Sequence, residues 1–365
     1  MRNIPVYEPT LGQKEKDYVM ECLDTNWISS NGKFVEKFEE SFASYLGVKA
    51  ATAVSNGTVA IHLALLTLGI KEGDEVIVPS FTYVATANAI TYVGAKPVFV
   101  DSKLDNWQVD PEDIKRKITD KTKAVIIVHL YGHPCDMDEI VAICKSKNIY
   151  LIEDCAEAIG SEYKGKKVGS FGTLACFSFF GNKTITTGEG GMVVSDDAEL
   201  INKASHLKDQ GMSRTVRYWH DIIGYNFRMT NIQAAIGYAQ IDRIEDNIRR
   251  KIEIGELYNE HLKNLPLKTL APVGDVRHTY WMCSILLDDP DKRDALHDFL
   301  LAAGVDTRPS FYPVHMLPMY ADMAEGEYKN AEYIGPRGMN LPSFPGLTDE
   351  EVIYICDKIR EFFKD

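Results

Sequence analysis

The sequence lacks any uninterrupted apolar run long enough to cross a bilayer. Its first residues, MRNIPVYEPTLGQKEKDYV, also lack the apolar core of a signal peptide. Both absences argue against a membrane-spanning or exported protein, so we expect a cytoplasmic location. The composition agrees with this expectation, because 45% hydrophobic and 25% charged residues are typical of an ordinary globular protein.

Paired cysteines are also absent. The seven cysteines are odd in number and scattered, and none forms the C-x-x-C pair that structural zinc sites use. They are Cys22, Cys135, Cys144, Cys155, Cys176, Cys283 and Cys356. We therefore expect neither a disulfide framework nor a bound metal, which fits a reducing compartment.

Basic residues are fewer than acidic residues in this sequence. The chain has 40 lysines and arginines against 53 aspartates and glutamates, which gives a net charge of −13. This balance argues against a broad nucleic-acid-binding surface. An anionic substrate must instead be held by individual basic side chains, so single arginines become candidates for substrate contacts.

Between residue 50 and about residue 205, the sequence alternates short β-branched runs with amphipathic segments. The predicted strands are residues 75–79, 96–101, 123–130, 150–154, 174–180 and 191–196. The predicted helices are residues 55–68, a segment opened by Asp110-Pro111, and residues 136–147. This alternation predicts an α/β domain with a mostly parallel sheet covered on both faces.

A long segment of helical period follows at residues 231–265 and exceeds an ordinary helix, which predicts a bent connector. The remainder mixes strand-like runs with a helix from Asp291 to Ala303 and a closing helix from Thr348, which indicates a small α+β domain. We therefore expect a large domain with an N-terminal arm over residues 1–240. The connector helix and the small domain occupy residues 241–365.

A lone lysine poses the main question of the sequence. In FSFFGNKTITTGEGGMVV, residues 177–194, Lys183 lies between two segments that resemble buried strands. A lysine in such a place is either paired with a negative charge, or has a depressed pKa and takes part in chemistry.

Two weaker signals accompany this lysine. Ser-Asn-Gly-Thr at residues 55–58 opens an apolar helix, where it either binds a phosphate or simply caps the helix. Asp154 ends a predicted strand, where an open α/β sheet forms its ligand crevice, although a carboxylate there can also be a plain cap. A lysine, a carboxylate and a phosphate cup together match the needs of pyridoxal phosphate.

Five motifs carry a resemblance that runs nearly end to end. They are SNGTVAIHLAL, VPSFTYVATANAI, IEDCAEAIGS, FSFFGNKTITTGEGG and GYNFRMTNIQAAIG. On these residues the sequence resembles the sugar-nucleotide aminotransferases of the DegT/DnrJ/EryC1/StrS family. The resemblance implies fold type I of the pyridoxal-phosphate enzymes, as in aspartate aminotransferase, and pyridoxal 5'-phosphate as cofactor. It also implies a homodimer, or a tetramer, with shared active sites.

Matched to the family pattern, Lys183 is the Schiff-base lysine and Asp154 is the partner of the pyridine nitrogen. Glu157 stands where many relatives have a glutamine facing the ring hydroxyl, and its protonation state stays open. The resemblance also implies that Gly57, Thr58 and Ser178 form the phosphate cup and that Tyr83 stacks on the ring. It further implies that Asn226 contacts the cofactor of the partner subunit across the dimer interface.

Further segments are similar to the branch of the family that aminates GDP-4-keto-6-deoxy-D-mannose at C4. They are IPVYEPTL, WISSNGKFVEKFE, HLYGHPCDM, YWHDIIGYNFRMTN and RPSFYPVHMLPMY. This likeness implies L-glutamate as the amino donor, and GDP-perosamine and 2-oxoglutarate as products, for bacterial surface polysaccharide such as the O-antigen of lipopolysaccharide. The candidate substrate contacts are His129, Arg217, Arg308 and Tyr312, with Arg228 as a further arginine.

Several alternatives stay open. His129 and His133 have metal-like spacing, but Gly132 and a strand end argue against the helix which that spacing needs. The GEGG at residues 188–191 lacks the spacing of a nucleotide-binding loop and fits a tight strand connection. The aromatic runs RYWHD and HTYW favour core or interface positions over ligand stacking.

Other functions on the same fold are also considered. The acceptor could be a UDP- or dTDP-linked 4-keto sugar, since a fold does not determine a substrate. Related dehydratases carry histidine at the position of the Schiff-base lysine, whereas this sequence has Lys183. A non-enzymatic sensor would have lost the lysine, the carboxylate or the phosphate cup, and all three are present.

Overall fold

The computed structural model of this protein describes residues 3–364. The strands are β1 (Ala50–Val54), β2 (Glu75–Pro79), β3 (Lys96–Val100), β4 (Thr122–Val128), β5 (Tyr150–Asp154), β6 (Glu162–Tyr163), β7 (Lys166–Lys167), β8 (Leu174–Ser178), β9 (Gly191–Ser195), β10 (Leu267–Thr269), β11 (Val276–Arg277), β12 (Cys283–Leu287), β13 (Arg308–Pro309) and β14 (Gly338–Leu341). The helices are α1 (Gln13–Asp24), α2 (Lys33–Leu46), α3 (Gly57–Thr67), α4 (Ala85–Tyr92), α5 (Pro111–Lys117), α6 (Met137–Lys147), α7 (Ala198–Lys208), α8 (Asn231–Gln240), α9 (Ile244–His261), α10 (Lys292–Ala302), α11 (Lys329–Arg337) and α12 (Asp349–Phe362).

The largest sheet has seven strands in the order β1-β9-β8-β5-β4-β2-β3. Strand β9 runs antiparallel to its neighbours β1 and β8, and the other pairs are parallel. The predicted α/β class with a mostly parallel sheet is therefore confirmed. The carboxyl ends of β4, β5 and β8 meet at one edge, which brings Asp154 and Ser178 to the same side of the sheet.

Strand β1 and helices α1, α2, α4, α7 and α11 were missed by the sequence patterns. The strand reads AATAV, and its alanines have little strand propensity. It becomes a strand because each of its residues pairs with β9, in register from Ala50 opposite Ser195 to Val54 opposite Gly191. Tertiary pairing here outweighs local preference.

Both faces of this sheet are covered by apolar residues. Strand β4, TKAVIIV, is buried along nearly its whole length, which is typical of a central parallel strand. On one face α3 packs with buried residues such as Leu63 against the sheet. On the other face an aromatic cluster includes Phe42 and Phe177, whose ring centroids lie 4.9 Å apart at 81°.

The predicted bent connector is present as α8, a short 3-10 turn at Ile241–Arg243, and α9. The expected limit between residues 240 and 241 falls at this turn, and the domain limits themselves stay a prediction. Beyond α9, strands β10, β12, β14 and β13 form an antiparallel sheet. Helices α10 and α12 contribute buried residues to the core on this sheet, which makes an α+β unit.

The N-terminal arm, which is expected with the large domain, also contacts the C-terminal unit, and its domain assignment stays a prediction. Ile4 is buried in the core of the C-terminal unit, and its backbone N–H donates to the Gly304 carbonyl at 2.8 Å. The N–H of Ser343 donates to the carbonyl of Val6 at 3.1 Å. The arm therefore packs along the small domain, with which it buries apolar surface.

Among residues 3–364, the helices are all too short or too polar to span a bilayer.

Candidate active site

A cavity of about 600 Å³ lies at the edge of the large sheet where β4, β5 and β8 end. Its lining includes Asn56, Gly57, Thr58, Thr82, Tyr83, Thr86, Val128, Asp154, Glu157, Ser178, Phe180, Asn182, Lys183, Glu189, Trp281 and Phe311. The volume is in the range of small-molecule sites. The large domain supplies most of this lining, and Trp281 and Phe311 come from the C-terminal part of the chain.

Lys183 lies in the turn that follows β8, where its backbone N–H donates to the Phe180 carbonyl at 2.9 Å. The side chain is only 9% exposed, and its Nζ lies 3.7 Å from the centroid of the Trp281 ring. Burial lowers the pKa of the Lys183 amine, while the negative charges of Glu157 and Asp154 oppose that shift. A lowered pKa increases the neutral fraction of the amine, which is the form that acts as a nucleophile or a base.

Asp154 is the last residue of β5 and is buried. Its Oδ2 accepts a hydrogen bond from Thr86 Oγ1 at 2.8 Å, and its Oδ1 accepts one from the Ala156 N–H at 3.1 Å. Burial raises the pKa of Asp154, and the hydrogen bond from Thr86 is the largest opposing effect. Each oxygen keeps a further lone pair, so the carboxylate can still accept from a group in the cavity.

Glu157 lies one turn beyond Asp154 and is 4% exposed. Its Oε2 accepts a hydrogen bond from the Tyr131 backbone N–H at 2.7 Å. Burial raises the pKa of Glu157 to about 7, the negative charge of Asp154 adds to the shift, and Lys183 is the largest opposing influence. The raised pKa increases the protonated fraction of this carboxyl group.

The start of α3 also lines the cavity. Asn56 caps this helix, and its Oδ1 accepts from the Val59 N–H at 2.9 Å. A Cβ atom on Gly57 would lie 2.7 Å from the Ser178 Cβ, so only glycine allows this close approach. The first N–H groups of a helix have no partner within the helix, and together with the Ser178 hydroxyl they suit a phosphate.

Aromatic side chains form another part of the cavity wall. Tyr83 lines the cavity and is 57% exposed, with its ring centroid 5.6 Å from that of Phe311. Phe311 in turn stacks on buried Tyr131 at 5.4 Å. An exposed ring of this kind is available to stack on a planar ligand.

The residues of the cavity fit pyridoxal phosphate. A buried amine and a buried carboxylate share the cavity with a capped helix start that has no room for a Cβ. The same cavity is lined by Lys183, Asp154, Glu157, Gly57, Thr58, Ser178 and Tyr83, and the roles that the family resemblance implies for them stay predictions.

His129 was predicted as a substrate contact, but the structure does not place it in the cavity. Its side chain is fully buried, its Nδ1 accepts from the Cys135 N–H at 3.0 Å, and its Nε2 lies 3.1 Å from Glu153 Oε2. This pattern fits a neutral ring with the proton on Nε2. A substrate role for His129 therefore has no support in the geometry, because both nitrogens have protein partners.

The same histidine belongs to the one group of described residues spaced closely enough for a metal ion. Ligand atoms of His129, Glu153 and Cys155 lie within 4.8 Å of one another. Glu153, however, already accepts from His129 and from the backbone N–H groups of Gly169, Phe171 and Gly172. Internal hydrogen bonds therefore account for this buried carboxylate.

The other predicted substrate contacts lie outside the cavity of this chain. Arg217 is exposed, with its guanidinium 5.0 Å from the Tyr218 ring, and exposed Arg308 pairs with Asp306. Tyr312 is 57% exposed and follows Phe311, which lines the cavity.

Asn226, predicted as a cofactor contact, is also exposed and outside the cavity of its own chain. Its Oδ1 accepts from Arg228 Nε at 3.1 Å, and Arg228 pairs with Asp209 at 2.7 Å. Within one chain, therefore, neither Asn226 nor Arg228 meets the amine of Lys183.

Two residues that line the cavity were missed by the sequence patterns. Trp281 belongs to HTYW, which favoured a core position, yet its ring lies over the amine and its Nε1 donates to the Asn182 carbonyl at 2.8 Å. Thr86 donates to Asp154, and the only sequence signal for it is a hydroxyl three residues after Tyr83 in FTYVAT.

Comparison with known proteins now decides the family. The chain matches the DegT/DnrJ/EryC1/StrS aminotransferase family over residues 9–360. The chain belongs to this aminotransferase family. It is similar to GDP-perosamine synthase of Escherichia coli O157:H7, with 56% identity over 100% of both chains. It is also similar to GDP-perosamine synthase of Vibrio cholerae, with 51% identity over 99% of both chains.

Solved structures agree with this assignment. Spr1654 from Streptococcus pneumoniae, solved in its PLP form, superposes with a TM-score of 0.95 at 28% identity over 99% of each chain. Membership in the DegT/DnrJ/EryC1/StrS family confirms the predicted family and the predicted pyridoxal-phosphate cofactor. The family also explains why a buried lysine and a buried aspartate share one cavity.

Proposed function

We propose that this chain transfers the amino group of L-glutamate to C4 of GDP-4-keto-6-deoxy-D-mannose, giving GDP-perosamine and 2-oxoglutarate. One ketone becomes an amine and one amine becomes a ketone, so the exchange needs no external oxidant or reductant. The observation that carries the proposal is the buried Lys183 amine, which shares a cavity with Asp154 and with the start of α3.

The choice of acceptor is supported by the relatives. Two proteins named GDP-perosamine synthase match this chain at 56% and 51% identity over essentially their full length. Supply of an amino sugar for O-antigen synthesis is part of the proposal, and the cytoplasmic location stays a prediction.

Bound pyridoxal phosphate supplies a carrier for the amino group and an electron sink for the pair released when a C–H bond breaks. Lys183 carries out the proton transfer at the donor's α-carbon, because its lowered pKa leaves a neutral amine available. Asp154 holds a proton on the ring nitrogen, which keeps the sink effective. Ser178 and the first N–H groups of α3 bind the phosphate.

Recognition of the sugar nucleotide requires positive charge, since the acceptor carries a diphosphate and the chain has a net charge of −13. Arg217 and Arg308 lie outside the cavity of their own chain and are exposed. We therefore propose a homodimer in which the loop bearing Arg217 and Asn226 reaches the site of the partner.

An exposed apolar surface supports this assembly. The segment between Val216 and Ile223 carries several large side chains in contact with solvent, and Ile223 is 89% exposed. Its exposed apolar residues are Val216, Tyr218, Trp219, Ile222 and Ile223. Such a surface is unusual on a monomer and suits a self-complementary interface.

The direct test is to incubate the purified protein with pyridoxal phosphate, glutamate and a panel of 4-keto nucleotide sugars. We expect aminated GDP-sugar by mass, and kcat/KM for the GDP-linked mannose-type acceptor at least about tenfold above any UDP- or dTDP-linked one, the value of one good polar contact. Equal or better turnover of a UDP- or dTDP-linked acceptor would overturn the substrate and leave the aminotransferase in place.

A further inference from the structure

Lys251 is a second buried lysine, and it lies in the middle of α9, outside the cavity. Its side chain is 0% exposed. The ammonium donates to the Ser343 carbonyl at 2.7 Å, to Ser343 Oγ at 3.0 Å and to the Trp281 carbonyl at 3.2 Å. All three acceptors are uncharged, although an uncompensated buried charge is costly. Burial accordingly lowers the pKa of Lys251 to about 7.

Three chain segments meet at this amine. One contains Trp281 and precedes β12, and the second contains Ser343 and follows β14. The third is the N-terminal arm, since the Tyr7 ring centroid lies 5.4 Å from Lys251 Nζ and the Ser343 N–H donates to the carbonyl of Val6 at 3.1 Å. Lys251 therefore joins segments that are far apart in sequence.

Two of these segments continue directly to the turn that carries Lys183. The Trp281 ring centroid lies 3.7 Å from Lys183 Nζ, and the indole N–H donates to the Asn182 carbonyl at 2.8 Å. The Tyr7 hydroxyl donates to the carbonyl of Lys183 itself at 2.5 Å. Through Trp281, Lys251 is thus linked to the amine of Lys183, and through the N-terminal arm it is linked to the Lys183 backbone.

The geometry suits a lysine at this position. An ammonium group has three N–H donors and no acceptor, and Lys251 has three acceptors within hydrogen-bond distance. A side chain without donors would leave the buried carbonyls of Trp281 and Ser343 without this partner. Unpaired buried carbonyls are costly, so these segments would move to find other partners.

We propose that Lys251 is a positioning residue for the aminotransferase reaction, which holds Trp281 and the N-terminal arm against the turn of Lys183. Only the kinetic part of the test for this role depends on the proposed function. Its spectroscopic readout needs pyridoxal phosphate alone, without any sugar.

The test compares Lys251→Met, which has a similar length and no donors, with the wild-type protein, both loaded with pyridoxal phosphate. The pH midpoint of the visible absorbance band reports the surroundings of the Lys183 amine. We expect this midpoint to shift, and kcat to fall about tenfold, the rate equivalent of one lost hydrogen bond, with little change in KM for the nucleotide sugar.

Lys208→Met is the matched control, because Lys208 is also buried but donates to Glu39 and to the Ala53 carbonyl instead. This variant should lose thermal stability and keep the wild-type midpoint. If the role of Lys251 is purely structural, Lys251→Met will also lose thermal stability and keep the wild-type midpoint. That outcome overturns the proposal.

Trp281→Phe and the double variant with Lys251→Met show whether the lysine acts through the tryptophan. Non-additive losses in kcat support that route, whereas fully additive losses overturn it. If Lys251→Met does not fold, Ser343→Ala removes one acceptor of Lys251 and must shift the midpoint away from the wild-type value, and an unchanged midpoint overturns the proposal. A wild-type protein that shows the visible band but aminates none of the sugars refutes the proposed substrate and leaves the Lys251 comparison intact.

Discussion

The raised pKa of Glu157 allows a quantitative test of the electrostatics of the site. A Glu157→Gln variant keeps an oxygen that can accept from the Tyr131 N–H, which lies 2.7 Å from Oε2, but it removes the titrating group. Because burial is the main cause of the raised pKa, the ionised form is less favourable in the folded, cofactor-free protein than in the unfolded chain.

The sign and the size of the effect follow from linkage. A carboxyl group with a raised pKa stabilises the fold at low pH, and this contribution is lost as the pH rises from 4.5 through 7. A rise in the pKa from 4.5 to about 7 corresponds to about 3 kcal/mol of unfolding free energy. Groups that do not interact with Glu157 titrate alike in both proteins, so the difference between wild type and variant reports Glu157 together with Lys183, whose pKa the Glu157 charge raises.

The assay is urea unfolding of cofactor-free wild type and Glu157→Gln across pH 4.5 to 8. We expect the wild type to lose about 3 kcal/mol relative to the variant between pH 4.5 and pH 7, and little more above pH 7. The same substitution at exposed Glu72 corrects for the general effect of removing a carboxylate. A difference between wild type and Glu157→Gln that stays constant with pH would refute the argument from burial.

Three further predictions concern the cofactor site and the assembly. Asp154→Asn should retain most pyridoxal-phosphate affinity but lose at least about a hundredfold in kcat, and a near-normal rate would reduce Asp154 to a strand-end cap. Gly57→Ala should weaken cofactor binding, because its Cβ would lie 2.7 Å from the neighbouring serine Cβ; titration with the cofactor tests this. Gly346→Ala, where the nearest atom is 3.6 Å away, is its control, and equal affinities would contradict the expected clash. Mixed dimers of Lys183→Ala and Asn226→Ala chains should be more active than either parent, because one site recovers both groups; a fully active monomer would refute sharing.

Three parts of the cavity in the large domain could be singled out from the sequence because each has a local pattern, although the roles assigned to them come from the family resemblance and stay predictions. Lys183 interrupts an apolar run, and Asp154 closes a strand. The start of α3 carries a recognisable cap at Asn56. In each case the signal is contained within about ten residues, so that no knowledge of tertiary structure is needed.

The contributions of the small domain could not be predicted in this way. Trp281 lies about a hundred residues from Lys183 in sequence, and only the packing of the small domain places its ring over the amine. Lys251 belongs to the charged run RRKIE, which indicates a solvated helix face, yet the segments at Trp281 and Ser343 cover it completely. For His129 the local pattern pointed to a substrate contact, because it is a polar residue at a strand end. In the structure its ring instead hydrogen-bonds to buried Glu153.

The proposed reaction depends most directly on Lys183, so the decisive measurement compares the wild type with Lys183→Ala. Both proteins are loaded with pyridoxal phosphate and given glutamate and GDP-4-keto-6-deoxy-D-mannose, and products are identified by mass. We expect the wild type to show the visible absorbance band and to form GDP-perosamine, whereas the folded variant shows neither. An unchanged spectrum and an unchanged rate in Lys183→Ala would contradict the proposed role of Lys183.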